Sequence, residues 1–145
     1  MQIVERVIVK AAPATIWQLL ADVERWPTWT PTVLHVQPLT PDGLRIGARY
    51  RVTQPKLRPG VYEVTECAPH EVLTWVQKAP GATMIADHRL SGNRSETEVE
   101  LSFATEGPLG AILGQFYSKR IADYVRTEAR SLKARCESLA AAATA

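Results

Sequence analysis

A chain of 145 residues that is 46% hydrophobic and 22% charged is long enough to bury the core of one globular domain, and its composition is not that of a disordered or fibrous protein. Its net charge of +2 arises from basic residues interleaved with acids from Arg6 to Arg135, which excludes the concentrated basic face of a nucleic-acid-binding protein. Two cysteines, Cys67 and Cys136, and three scattered histidines, His35, His70 and His88, lack the spacing of a metal site, so no metal or cofactor is expected.

The cysteines read as buried free thiols in a reducing cytoplasm. The N-terminus, Met1 to Arg6, lacks the basic-then-apolar pattern of a signal peptide, and no apolar run reaches membrane-spanning length. The expectation is a soluble cytoplasmic protein, monomer or homodimer.

Residues 2–10 are rich in β-branched side chains and predict a strand, with Ile3, Arg6, Ile8 and Lys10 imperfectly opposed to Val4, Val7 and Val9. Ala12-Pro13 opens a short helix whose apolar side is Ile16, Trp17, Leu19 and Leu20. Asp22 suits an N-cap for a further turn, Val23 to Trp26, and Pro27 and Pro31 force an extended exit. Val33 to Leu39 predicts a second strand, closed by a Pro41-Asp42-Gly43 turn in which Gly43 takes the positive φ.

A third strand, Ala48 to Gln54, alternates: Tyr50, Val52 and Gln54 on one side, Arg49, Arg51 and Thr53 on the other. After a loop from Pro55 to Gly60, Val61 to Cys67 forms a fourth strand with Tyr62 and Val64 on one face. Val72 to Lys78, Thr83 to Leu90 and Thr97 to Thr105 complete seven strands, separated by turns at Ala68–Glu71, Pro80-Gly81 and Ser91–Arg94. In the last strand Val99, Leu101 and Phe103 face inward. Short turns between sequential strands predict antiparallel neighbours.

Gly107 to Leu139 reads as one long helix of about 45 Å, with Pro108 at its first position. Its apolar stripe is Leu109, Ile112, Leu113, Phe116, Tyr117, Ile121, Tyr124, Val125, Leu132, Cys136 and Leu139. Lys119, Arg120, Asp123, Arg126, Glu128, Arg130, Lys133 and Arg135 read as its solvated face. Only a broad sheet covers a stripe of that length. The aromatic first half, interrupted by Gly110 and Gly114, reads either as packing or as the wall of a space. The tail Ala140 to Ala145 reads as frayed. Nothing divides residues 1–145, which are expected to form a single domain.

Several blocks carry a resemblance: Ala12-Pro13…Ile16-Trp17…Leu19-Leu20-Ala21-Asp22…Trp26-Pro27…Trp29, Tyr62-Glu63-Val64-Thr65-Glu66, Leu73-Thr74-Trp75, Pro80-Gly81, His88-Arg89-Leu90 and Gly107-Pro108-Leu109-Gly110. Together they resemble the START-like (SRPBCC) superfamily and its polyketide cyclase/dehydrase-like branch. The resemblance implies an α+β helix-grip fold, in which seven antiparallel strands curve around the C-terminal helix and enclose an apolar cavity. It does not choose among the ligand carriers, cyclases, oxygenase subunits and chaperone activators built on that scaffold. The chain shows no two-His-one-carboxylate spacing for iron.

Alternation names the lining of such a cavity: Tyr50, Val52, Gln54, Tyr62, Val64, Trp75, Met84, Ala86, His88, Phe103, Leu113, Phe116, Tyr117 and Tyr124, with Trp26, Trp29 and Pro31 at or near its mouth. His88 stands between apolar neighbours and should point inward, as an acid–base group or as a histidine satisfied by a neighbour. Asp87 and Arg89 fall on the opposite face as cross-strand charges. Tyr50 and Tyr62 are candidate proton donors beside it, although buried tyrosines seek partners in any fold. No nucleophile elbow, phosphate loop or paired inward carboxylates appear.

Three functions remain. The chain binds a hydrophobic or aromatic small molecule, lipid-, quinone- or polyketide-like. Alternatively it is a cyclase or dehydratase whose His88 and tyrosines move protons. Or it is an interaction or chaperone-accessory domain acting through an exposed face.

Overall fold

The computed structural model describes residues 1–144. Strand β1 (Gln2–Val9) leads into helix α1 (Pro13–Ala21) and a short 3₁₀ turn (Val23–Thr28). Strands β2 (His35–Pro38), β3 (Arg49–Thr53), β4 (Gly60–Ala68), β5 (Val72–Ala79), β6 (Ala82–Gly92) and β7 (Thr97–Glu106) follow, and helix α2 (Pro108–Thr144) ends the described chain. The strands form one seven-stranded antiparallel sheet in the order β1-β7-β6-β5-β4-β3-β2. This is the helix-grip arrangement: the sheet curves, and α2 lies along its concave side.

Alternation explains which side faces α2. In β3, Tyr50 and Val52 are buried while Arg49 and Arg51 are exposed; in β7, Thr97, Val99, Leu101 and Thr105 are buried. β1 corrects the expected pairing of its side chains. Ile3, Val7 and Val9 turn toward the core, whereas Val4 and Ile8 turn outward with Arg6. A register shift between Val64 and Glu66 marks a bulge in β4, which bends the sheet around the helix.

Helix α2 carries two adjacent apolar stripes rather than one. The inward stripe runs through Gly110, Leu113, Gly114, Ile121, Val125, Ala129, Leu132 and Cys136. Leu109, Ile112, Phe116 and Leu139, expected inside, lie on the exposed side, and Phe116 is 76% exposed. The helix continues through Ala140 to Thr144, the stretch read as frayed from the sequence; Ala145 lies outside the described residues.

The C-terminal half of α2 is anchored. Lys133 Nζ donates to the Ile8 carbonyl at 2.5 Å and to Glu137 at 2.8 Å, and Glu137 accepts the Lys10 amide at 2.8 Å. Leu132 and Cys136 are fully buried, as are Ile16, Leu20 and Leu73 in the same core. Each such side chain contributes about 1.5–3 kcal/mol of burial. The N-terminal half is held at its first turn, where the Leu109 amide donates to the Gly81 carbonyl at 2.9 Å. Among the described residues no helix is long and apolar enough to cross a membrane.

Candidate functional site

Between these two anchored ends the sheet and helix meet only in part, with His88 of β6 bonded to Glu128 of α2. A cavity of about 300 Å³ separates them, at the small end of the range for ligand pockets. β3, β4, β5, β6 and β7 contribute Val52, Tyr62, Trp75, Met84, Ala86, His88 and Phe103 to its walls. Gln54 follows directly on β3, and α2 supplies Leu113, Tyr117, Ile121, Tyr124, Val125 and Glu128. From Leu113 to Glu128 the helix rises about 22 Å, the length of the cavity's floor. Leu57 and Arg58, from the loop before β4, border the open end together with the partly exposed Tyr117.

Aromatic rings close the other end. Trp75 lies 5.1 Å from Trp26 and 5.2 Å from Tyr62, centroid to centroid, and Trp26 meets the His88 ring edge-on at 5.3 Å. The Trp26 indole N–H is satisfied by the Leu20 carbonyl at 3.1 Å. Trp26 is therefore a wall of the closed end and not a gate at the mouth. Trp29 packs behind it at 5.6 Å and does not border the cavity, nor does the exposed Pro31.

Three more expected lining residues stand elsewhere. Tyr50 and Val64 are buried behind the Trp75 wall, Tyr50 at 6.1 Å from Trp75. Both belong to the packed core that also holds Trp26 and Trp29. Phe116 lies outside, lining a surface groove with Pro55 and Lys56, because it is one helical step from the inward stripe.

The polar groups of the closed end are few. His88 is 4% exposed. Its Nδ1 lies 2.9 Å from the Leu73 carbonyl, which can only accept, so Nδ1 carries a hydrogen. Its Nε2 lies 3.2 Å from Glu128 Oε1. Burial works against a charged ring. The hydrogen bond and charge of Glu128, the Leu73 carbonyl and the charge of Asp87 together outweigh it and raise the His88 pKa above the ordinary histidine value. Both ring nitrogens are thus engaged, Nδ1 by the Leu73 carbonyl and Nε2 by Glu128, which is the arrangement of a histidine satisfied by its neighbours; neither nitrogen is free to act on a ligand.

Glu128 was expected on the solvated face of the helix; instead its side chain is only 15% exposed and borders the cavity. Its signal in the sequence is spacing, because it stands four residues after Tyr124 and seven after Ile121, on the inward stripe. Burial, then the charge of Glu128, pushes the Tyr62 hydroxyl well above its ordinary pKa, so it stays protonated as a donor. Tyr124 donates to the Pro55 carbonyl and Gln54 donates to the Thr32 carbonyl at 3.2 Å, so both serve structure at the rim. Gln77, Leu101 and Thr105 also line the cavity, each one alternation step from an expected residue. Asp87 borders it too, but its carboxylate is bonded to Thr74 and, at 2.7 Å, to Arg89. Among the described residues no cluster of His, Cys, Asp and Glu could hold a metal ion.

The model of the family described as polyketide cyclase / dehydrase and lipid transport matches residues 1–137. No curated protein sequence matches the chain. Among solved structures, a hypothetical protein of Helicobacter pylori superposes with a TM-score of 0.79 at 15% identity, over 94% of this chain and 88% of that one. The di-domain ARO/CYC BexL from the BE-7585A biosynthetic pathway superposes at 0.71 with 19% identity, over 92% of this chain and 45% of that one. Ginseng major latex-like protein 151 from Panax ginseng gives 0.71 at 10% identity, over 93% of this chain and 96% of that one. At these identities the likeness is one of fold.

Proposed function

This chain belongs to the polyketide cyclase / dehydrase and lipid transport family, and from that premise we propose that it binds a neutral, mostly apolar or aromatic small molecule in the cavity between sheet and α2. The molecule is lipid-, quinone- or polyketide-like. It enters past Leu57 and Tyr117 and turns its polar end toward Tyr62 and Glu128. The observation that carries this reading is the contrast within one cavity: mostly aromatic and aliphatic walls, with the His88–Glu128 pair and Tyr62 gathered beside the Trp26–Trp75 end. A neutral head group suits that cluster, because His88 already compensates the Glu128 charge.

Mass spectrometry of an organic extract of the purified protein, with titration of tryptophan emission by a panel of aromatic and fatty compounds, tests it. A stoichiometric apolar compound, or quenching of Trp26 and Trp75 that Tyr62→Phe weakens, supports the reading. An empty extract with unchanged emission across the panel counts against it. A second reading, a cyclase or dehydratase, draws support from the His88–Glu128 pair, a proton-handling group on the wall of an apolar cavity.

A further inference from the structure

The polar cluster is unevenly committed. His88 uses both ring nitrogens, on Leu73 and on Glu128. Glu128 uses one oxygen, Oε1; its other oxygen makes no hydrogen bond among the described residues, and neither does the Tyr62 hydroxyl. Both side chains border the cavity, and neither polar atom is sealed in protein. A carboxylate that accepts, beside a hydroxyl that donates, is the arrangement a proton transfer next to a carbonyl requires: one group takes the proton and the other meets the developing oxyanion.

We propose that Glu128 is a general base toward a carbon acid, an aromatic ketone bound in the cavity with its carbonyl oxygen at the Tyr62 hydroxyl. The inference rests on the reading of the cavity as the ligand site. The bond between hydrogen and the carbon next to the carbonyl breaks, an O–H bond forms on Glu128, and the electron pair moves onto the carbonyl oxygen. Tyr62 holds that enolate by a hydrogen bond and keeps its own proton. The proton then returns to carbon. In a ligand with a second carbonyl, the enolate carbon instead forms a C–C bond there, and the Glu128 proton passes to the new alkoxide. No oxidant, reductant or co-reactant is needed.

His88 touches none of the reacting atoms and is a positioning residue. Its hydrogen bond to Oε1 holds the Glu128 carboxyl in place at the cavity wall, and the Leu73 carbonyl fixes the ring. The titratable groups facing the pair are Tyr62 from β4 and Asp87 from β6, the latter already bonded to Thr74 and Arg89.

The test follows exchange of the α-protons of 2-tetralone in D2O by proton NMR, with binding read from tryptophan quenching. Wild type should exceed the buffer rate by roughly 100-fold. At 2-tetralone concentrations that saturate quenching, Glu128→Gln should exchange at the buffer rate, and Tyr62→Phe should lose about 10- to 100-fold. His88→Gln, whose amide can still donate to Oε1, should exchange within about threefold of wild type, whereas His88→Ala should lose about tenfold in exchange with 2-tetralone quenching unchanged. A purely structural histidine would lower exchange and quenching together and would not be rescued by glutamine. Exchange by Glu128→Gln at the wild-type rate, or quenching by wild type without faster exchange, overturns the proposal and leaves the ligand site standing. No quenching of wild type by 2-tetralone overturns both together.

Discussion

His88 Nε2 and Glu128 Oε1 lie 3.2 Å apart and join strand β6 to helix α2 across forty residues of chain. This is the one ionic contact between sheet and helix at the cavity among the described ion pairs. The remaining pairs are at the surface, where each is worth about 0–1 kcal/mol. The buried pair matters more, because removing one partner leaves the other in an apolar wall.

That pair makes stability depend on pH with a definite sign. The folded-state pKa of His88 is raised, so its contribution is complete below the ordinary histidine pKa of 6.5 and is lost as pH rises through the raised value. The urea midpoint of the wild type should therefore fall as pH increases from about 6 toward 9, and His88→Gln should show a flatter dependence. An equal slope in both proteins would mean that another group titrates.

The two stripes of α2 predict opposite outcomes for two apolar truncations. Leu132 is fully buried, and Leu132→Ala should cost about 2–5 kcal/mol in chemical denaturation. Phe116 is larger but 76% exposed, and Phe116→Ala should change stability by less than about 0.5 kcal/mol. A large cost at Phe116 would place it in the core that periodicity alone assigns it.

Phe116 also shows where sequence reading stops. The strands were legible because alternation has a period of two, and a wrong face contradicts every neighbour at once. Tyr50, Tyr62, Trp75, Val99 and Leu101 were placed inward on that basis and are buried. On α2, apolar residues cover two adjacent stripes, and spacing of three and four fits both. Choosing between them requires knowing where the sheet lies. Glu128 was missed for the complementary reason. A single acid in an apolar stripe reads as surface until its partner is known, and His88 is distant in sequence. The cavity lining was legible strand by strand; the core packing that holds Tyr50 and Val64 behind it was not.

Filling the cavity should separate binding from folding. Ala86 borders it and stands in register between Trp75 and Phe103. Ala86→Phe places a ring in open space, so stability should hold or rise by about 0.5–2 kcal/mol. Affinity for any compound found in the organic extract should fall at least about tenfold, as steric exclusion requires. Unchanged affinity would locate the ligand elsewhere, with the exposed groove beside Phe116 as the next place to examine.

Gly107 should be the most demanding glycine at the junction that holds the helix. Its φ is +86°, and a Cβ there would lie 2.6 Å from the Gly81 carbonyl oxygen, the same oxygen that accepts the Leu109 amide. Gly107→Ala therefore combines backbone strain with a clash against main chain, and it should cost about 2–3 kcal/mol. Gly43 is the control: its φ is +72°, yet nothing lies within 4 Å of its Cβ position. Gly43→Ala should show the strain alone, about 1 kcal/mol. The difference between the two variants measures how firmly the β5–β6 hairpin grips the first turn of α2. A firm grip also fixes Leu113, one turn further on, at the cavity wall, so Gly107→Ala should weaken ligand binding where Gly43→Ala does not. Equal costs in urea denaturation would mean that the helix start moves free of the hairpin, and that the anchoring of the cavity's open end lies elsewhere.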